Sequence, residues 1–212
     1  MKTGSACEGP LRVADGSGGQ RLVRCRNCSG CFRALRRYWA AAVAHEIESA
    51  ELRGCRTWFG TLTFRPSALR HLMLQAQNAG PENGPWDKLT NEERVRRVEE
   101  RILHEVQKYW KRLRKAGLPF RYFLTSESHE TGAPHLHWVL HETDASRRIR
   151  KRDLEEKWPH GFIAVRVVKV EAGGAGHKKV AAYVTKALGF EKRPRVCASQ
   201  SYRPANRTVT VE

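Results

Sequence analysis

The stretch Pro134-His135-Leu136-His137-Trp138-Val139-Leu140 constrains the fold most. It sets two imidazoles one residue apart inside an apolar run. Side chains at i and i+2 of a strand point to the same face. As a strand, it would put His135 and His137 on one side and turn Leu136, Trp138 and Leu140 toward a core. Phe120 to Glu127 reads as the strand before it, Pro134 to Glu142 as the strand itself, and His129-Glu130-Thr131-Gly132 as the turn between them. The expectation is an antiparallel hairpin in which the histidine pair faces across from Glu127.

The flanking segments fit such a sheet. Leu35, Trp39, Val43 and Ile47 recur at helical spacing after Cys31, and Gly54 marks the stop. Thr57 to Phe64 reads as a strand and 65–88 as a loop with a short helix around Leu69 to Leu74. Thr90 and Glu93 form a capping box that opens a long helix from Asn91 to Ala116, ended by Gly117. Then come a short helix from Lys151 to Trp158, a Val-rich strand from Phe162 to Val170, a flexible turn at Gly173 to Gly176, and a helix from Lys178 to Leu188. This order predicts an α+β fold with an antiparallel sheet. The chain divides into a cysteine-rich arm and basic helix (1–54), a core (55–190) and a basic tail (191–212).

Thirty-nine Lys and Arg against 22 Asp and Glu leave a net charge of +17. Nucleic acid is the acidic partner that such a surface fits, through phosphate contacts and counterion release. No stretch approaches the ~20 apolar residues of a membrane span. Met1 to Gln20 lacks a signal-peptide apolar region. A cytoplasmic protein is expected, so the six cysteines read as metal ligands or free thiols rather than disulfides.

Three groups carry chemistry. Cys25, Cys28 and Cys31 have the spacing of a structural Zn2+ site. Cys7 is the first candidate for a fourth ligand, with Cys55 or His45 as others, and an iron–sulfur cluster is the second reading. Glu127, His135 and His137 would suit Mg2+ or Mn2+ with positions open for a phosphate oxygen. The plain alternative is a pair of half-buried histidines and a solvated carboxylate. Tyr183, with Lys186 one turn on, could be an oxygen nucleophile toward phosphorus. Its plain alternative is a tyrosine packed at a core edge with a wet hydroxyl. Arg33, Arg36, Arg37, Lys111, Arg112, Arg114, Lys115 and Lys179 are candidate DNA contacts, or simply solvated charges.

These blocks, taken in order, resemble the rolling-circle replication initiators of small single-stranded DNA phages, the microvirus type, within the HUH endonuclease superfamily. The matching parts are Cys25 to Trp39, Phe59-Gly60-Thr61-Leu62-Thr63-Phe64, Phe123 to Leu140, Trp158-Pro159-His160-Gly161-Phe162 and Ala181-Ala182-Tyr183-Val184-Thr185-Lys186. The resemblance implies an antiparallel sheet of about five strands, with the histidine pair on a central strand and the tyrosine helix above it. It implies that Tyr183 nicks single-stranded or hairpin origin DNA, with a divalent ion on Glu127, His135 and His137. The products would be a 5′-phosphotyrosine and a 3′-OH primer for host helicase and polymerase. Many microvirus-type initiators carry a second tyrosine four residues on, where this chain has Ala187. A single-tyrosine transposase or relaxase-like strand transferase is therefore a rival. A non-catalytic, zinc-containing single-strand binder is the rival from another class.

Overall fold

The computed structural model describes residues 7–14, 18–79, 84–128, 134–169, 175–189 and 195–203. Strands β1 (Leu11–Ala14) and β2 (Gln20–Val23) form a small antiparallel hairpin. They are followed by α1 (Ser29–Leu52), β3 (Thr57–Leu62), α2 (Pro66–Gln77), α3 (Asn91–Lys115), β4 (Phe120–Ser128) and β5 (Pro134–Glu142). Then come α4 (Lys151–Glu156), β6 (Ile163–Val167), α5 (Ala175–Val184) and β7 (Val196–Ala198). Five strands make one antiparallel sheet in the order β6-β3-β5-β4-β7, with β5 central. The architecture is α+β, as the element order predicts.

Alternation along β5 splits the molecule into two cores. Leu136, Trp138 and Leu140 join Trp58, Leu62 and Leu124 against Ile102, Val106, Trp110 and Leu113 of α3. On the other face Val139 and Phe123 meet Ala42, Val43 and Ile47 of α1 and Ala181 and Val184 of α5. Each of the larger side chains contributes about 1.5–3 kcal/mol by leaving water. Gly60, opposite Trp138 in the register, lets the indole lie across the strand. A Cβ there would run into Cζ2, Cε2 and Cη2 of that ring, the last at 2.9 Å.

The capping box at Thr90 and Glu93 forms as the sequence predicts. Four other expectations need correction. The loop expected over 65–88 contains a full helix, α2, because Pro66 takes the first helical position instead of breaking the chain. The arm before Cys25, read as loose, contains the β1–β2 hairpin. Part of the stretch read as a basic tail is structural: β7 extends the sheet beside β4, and Tyr202 is buried in the α1–α5 core. The helix expected through Leu188 ends at Val184 and tightens into a 3₁₀ turn over Lys186–Gly189. The Thr185 hydroxyl there donates to the Ala181 carbonyl at 2.6 Å. The expected turn at His129 to Gly132, and Gly173 and Gly174 of the other, lie outside the described residues.

His141 occupies the buried end of the histidine face. Its Nδ1 lies 2.9 Å from the Thr57 hydroxyl and its Nε2 lies 2.7 Å from the Tyr202 hydroxyl. Complete burial, with Arg121 and Arg53 nearby, lowers its pKa from 6.5 to about 3. It is therefore neutral when folded. The unfolded chain binds this proton first as pH falls, so stability is lost between about 6.5 and 3. The slope reaches at most about 1.4 kcal/mol per pH unit. His141→Gln is expected to flatten this part of the stability profile, measured by urea unfolding at pH 7, 5.5 and 4.5. Parallel profiles for parent and variant would refute the assignment.

Candidate functional site

Beyond Val139 the second core thins toward solvent. Along β5, side chains on this face pass from fully buried His141 and Val139 to His137, 6% exposed, and then to half-buried His135. The register places Thr61 and Thr125 on either side of His137, and Glu127 opposite His135. Glu127 reaches diagonally, and its Oε2 lies 3.0 Å from His137 Nε2. The Thr61 hydroxyl meets Nδ1 of the same ring at 3.0 Å. A hydroxyl can donate or accept, so Thr61 supports either tautomer and keeps Nε2 turned toward Glu127. Burial holds His137 below the usual imidazole range against the opposing pull of Glu127.

Helix α5 brings the phenol to this spot. The Thr125 hydroxyl donates to the Val184 carbonyl at 2.8 Å and ties the end of α5 to β4. Tyr183, in the last turn, stands edge-on to His137 with ring centres 5.3 Å apart, and edge-on to Phe59 at 5.5 Å. Phe59 stacks against His137 at 6.3 Å. Lys186 places Nζ 4.9 Å from the centre of the Tyr183 ring and 3.2 Å from Glu127 Oε1. Tyr183 remains 47% exposed, so its face of the cluster is open to a large substrate.

A carboxylate, two imidazoles on one strand face, a phenol and an ammonium thus share one cluster. The donors Glu127, His135 and His137 are of the mixed oxygen and nitrogen type that suits a divalent cation. The Glu127 carboxylate is held directly by His137 and Lys186. The sequence reading missed Phe59, Thr61 and Thr125. All three lie on this face, but only the register between β3, β4 and β5 shows it.

A protein-family model, described as replication-associated protein of the ORF2 type, matches residues 57–188. That span runs from the first residue of β3 into the 3₁₀ turn, covers more than half of the 212 residues and contains every member of this cluster. The chain belongs to this replication-associated protein family. Comparison with curated proteins and comparison with solved structures find no match.

In this replication-associated protein the cysteines fall outside the family span. Cys7, Cys25, Cys28 and Cys31 bring their sulfurs within 4.8 Å of one another. Cys7 is thus the fourth member, in place of Cys55 or His45. Contacts of 3.9 Å (Cys25–Cys31), 3.9 Å (Cys7–Cys28) and 3.6 Å (Cys7–Cys31) match the edge of a tetrahedron with ~2.3 Å metal–sulfur bonds, about 3.8 Å. Four such thiolates could hold one metal ion such as zinc. Arg26 adopts φ +63, and its N–H donates to Cys31 Sγ at 3.3 Å. The Glu8 and Cys25 N–H groups donate to Cys28 and Cys7, each at 3.3 Å. The Glu8 N–H pulls the Cys28 thiol down to about 6, and burial pushes Cys31 up to about 11.

The expected DNA contacts of this replication-associated protein do not form one patch. Arg33 and Arg37 are exposed and Arg36 half-buried on α1, and Lys179 is exposed one turn before Tyr183 on α5. Lys111, Arg112, Arg114 and Lys115 end α3, which packs on the opposite face of the sheet. There Arg112 donates to the Lys157 carbonyl at 3.2 Å, and Arg114 covers the Phe120 ring at 4.9 Å. Among the described residues, no helix is long and apolar enough to cross a membrane.

Proposed function

We propose that this chain is an HUH-type initiator of rolling-circle replication that nicks and rejoins single-stranded or hairpin origin DNA through Tyr183. One observation carries the reading: the Tyr183 ring stands edge-on to His137, 5.3 Å away, in a cluster with Glu127 and Lys186. The Tyr183 oxygen attacks the scissile phosphorus and gives up its proton to solvent. The bond from phosphorus to the 3′ oxygen breaks, and that oxygen takes up a proton to become the 3′-OH primer. A 5′-phosphotyrosine is left. Rejoining reverses both bond changes, so the phosphodiester energy is kept and ATP is not needed.

Lys186 favours the phenolate and offsets charge on the five-coordinate phosphorus. Glu127, His135 and His137 would hold Mg2+ or Mn2+, which when bound supplies polarisation of a phosphate oxygen and a nearby positive charge. Thr61 keeps the His137 ring oriented, and Phe59 backs both His137 and Tyr183. Ala187 stands where a second tyrosine would be. It favours a one-tyrosine cycle of the transposase or relaxase kind over two-tyrosine alternation within one chain. Host helicase and polymerase are the partners that such a primer requires.

The test is incubation with a random-sequence pool of labelled single-stranded DNA and Mn2+, followed by a denaturing gel and peptide mapping. A covalent adduct on the Tyr183 peptide is the expected result. Absence of an adduct would leave the non-catalytic binder, and an adduct on another residue would overturn the assignment.

A further inference from the structure

We infer that the β6 edge of the Tyr183 face is a platform for single-stranded DNA, on which Phe162 stacks one base and Arg166 holds a backbone phosphate. The identity of the strand rests on the nicking reading; the platform itself rests on four observations.

The first is orientation. Ile163 and Val165 pack against the core beside α3, so alternation turns Phe162, Ala164 and Arg166 to the opposite face, which carries Tyr183. Arg166 lies opposite Phe59 and Ala164 opposite Thr61, and the Thr63 N–H donates to the Phe162 carbonyl at 3.0 Å, extending the ladder by one row. Phe162 therefore flanks the row that holds His135 and Glu127.

The second is exposure on a fixed backbone. Phe162 is 80% exposed. Yet the chain beneath it is pinned: the Thr63 hydroxyl also donates to the Phe162 carbonyl at 3.1 Å, and the Arg65 N–H donates to the His160 carbonyl at 2.8 Å. Gly161 permits this approach. A Cβ there would lie 2.8 Å from Arg65 N and 2.9 Å from Phe64 Cα. A bare ring on a rigid support loses little conformational entropy when a base stacks on it.

The third is charge. The Arg166 guanidinium sits 5.4 Å over Phe59, the ring that also touches Tyr183 and His137. It is exposed and pairs with no carboxylate among the described residues. The fourth is relief. Ala164 keeps the surface low between the two, which stand about 13 Å apart along the strand. A single strand can touch both while its phosphate passes Tyr183. A duplex presents no free base face to the ring.

The platform is tested by fluorescence anisotropy with single-stranded and blunt duplex oligonucleotides over a salt series. The full chain carries Tyr183→Phe, so that binding is read without cleavage. Phe162→Ala is expected to weaken single-strand binding roughly 5- to 100-fold with the salt slope unchanged. It should leave duplex binding alone, and Phe162→Trp should restore affinity. Arg166→Ala should make the log–log salt slope shallower by about 0.7. Parental affinity in Phe162→Ala, or equal losses on single strand and duplex, would overturn the platform. If both losses appear as expected but the parent forms no adduct, the nicking reading fails and the platform stands. If the adduct forms but neither substitution changes binding, the reverse holds.

Discussion

Tyr183→Phe is expected to eliminate the covalent protein–DNA adduct and to lower strand cleavage by on the order of 10⁴-fold or more. The phenyl ring keeps its edge contacts with His137 and Phe59, and the lost hydroxyl belongs to a residue that is 47% exposed. Stability should therefore change by less than about 0.5 kcal/mol. Single-strand affinity should stay within about threefold, because phosphate contacts elsewhere supply most of it. His137→Ala is the companion variant. It removes the imidazole that joins Thr61 to Glu127, and cleavage should fall by at least about 10²-fold even at raised Mn2+. Cleavage kinetics on a denaturing gel, beside anisotropy for binding, separate these effects. Normal cleavage by Tyr183→Phe would remove the proposed nucleophile. Normal cleavage by His137→Ala would reduce the Glu127 cluster to packing.

The second large effect concerns the four cysteines. Cys28→Ser is expected to take the purified protein from about one bound zinc per chain to essentially none. It is also expected to free the β1–β2 hairpin for proteolysis. Cys7 and Cys25 bracket that hairpin, and Cys28 and Cys31 sit at the start of α1, so the ion would clasp the arm to the helix. A hairpin with four-residue strands and a largely exposed surface has little core of its own. Ligand-driven folding then supplies most of its order. Elemental analysis and limited proteolysis with and without chelator are the measurements. Unchanged protease resistance in the metal-free protein would refute the clasp. A brown protein with visible absorbance would replace zinc by an iron–sulfur cluster. Sulfur contacts of 3.6–3.9 Å favour a single ion, since a cluster of several irons holds its thiolates further apart. Because α1 packs on the sheet through Ala42, Val43 and Ile47, the core should survive the loss.

Much of the candidate site was legible from local pattern. The spacing of His135 and His137 implies a shared strand face. The turn residues between two apolar runs imply the hairpin that sets Glu127 across from them. The rest depended on contacts distant in sequence. Pro66 looks like a breaker until the chain around it is seen to start a helix there. Val196 to Ala198 are too few to read as a strand, and only β4 makes them one. The basic end of α3 and the arginines of α1 look alike in sequence, yet the sheet separates them. Thr61 and Phe59 carry no motif, and their place beside His137 comes from the β3–β5 register.

Sequence alone determined which residues carry chemistry and which face of each element they occupy, because periods of 2 and 3.6 residues are local properties of the backbone. It also determined the cysteine spacing and the net charge of +17. Tertiary structure alone decided which faces meet. It put Tyr183 over His137 and not over buried His141, and chose Cys7 as the fourth thiolate. It also left Phe162 and Arg166 bare beside the tyrosine. Strand register and helix docking join residues tens of positions apart, and no periodicity in the chain encodes that distance.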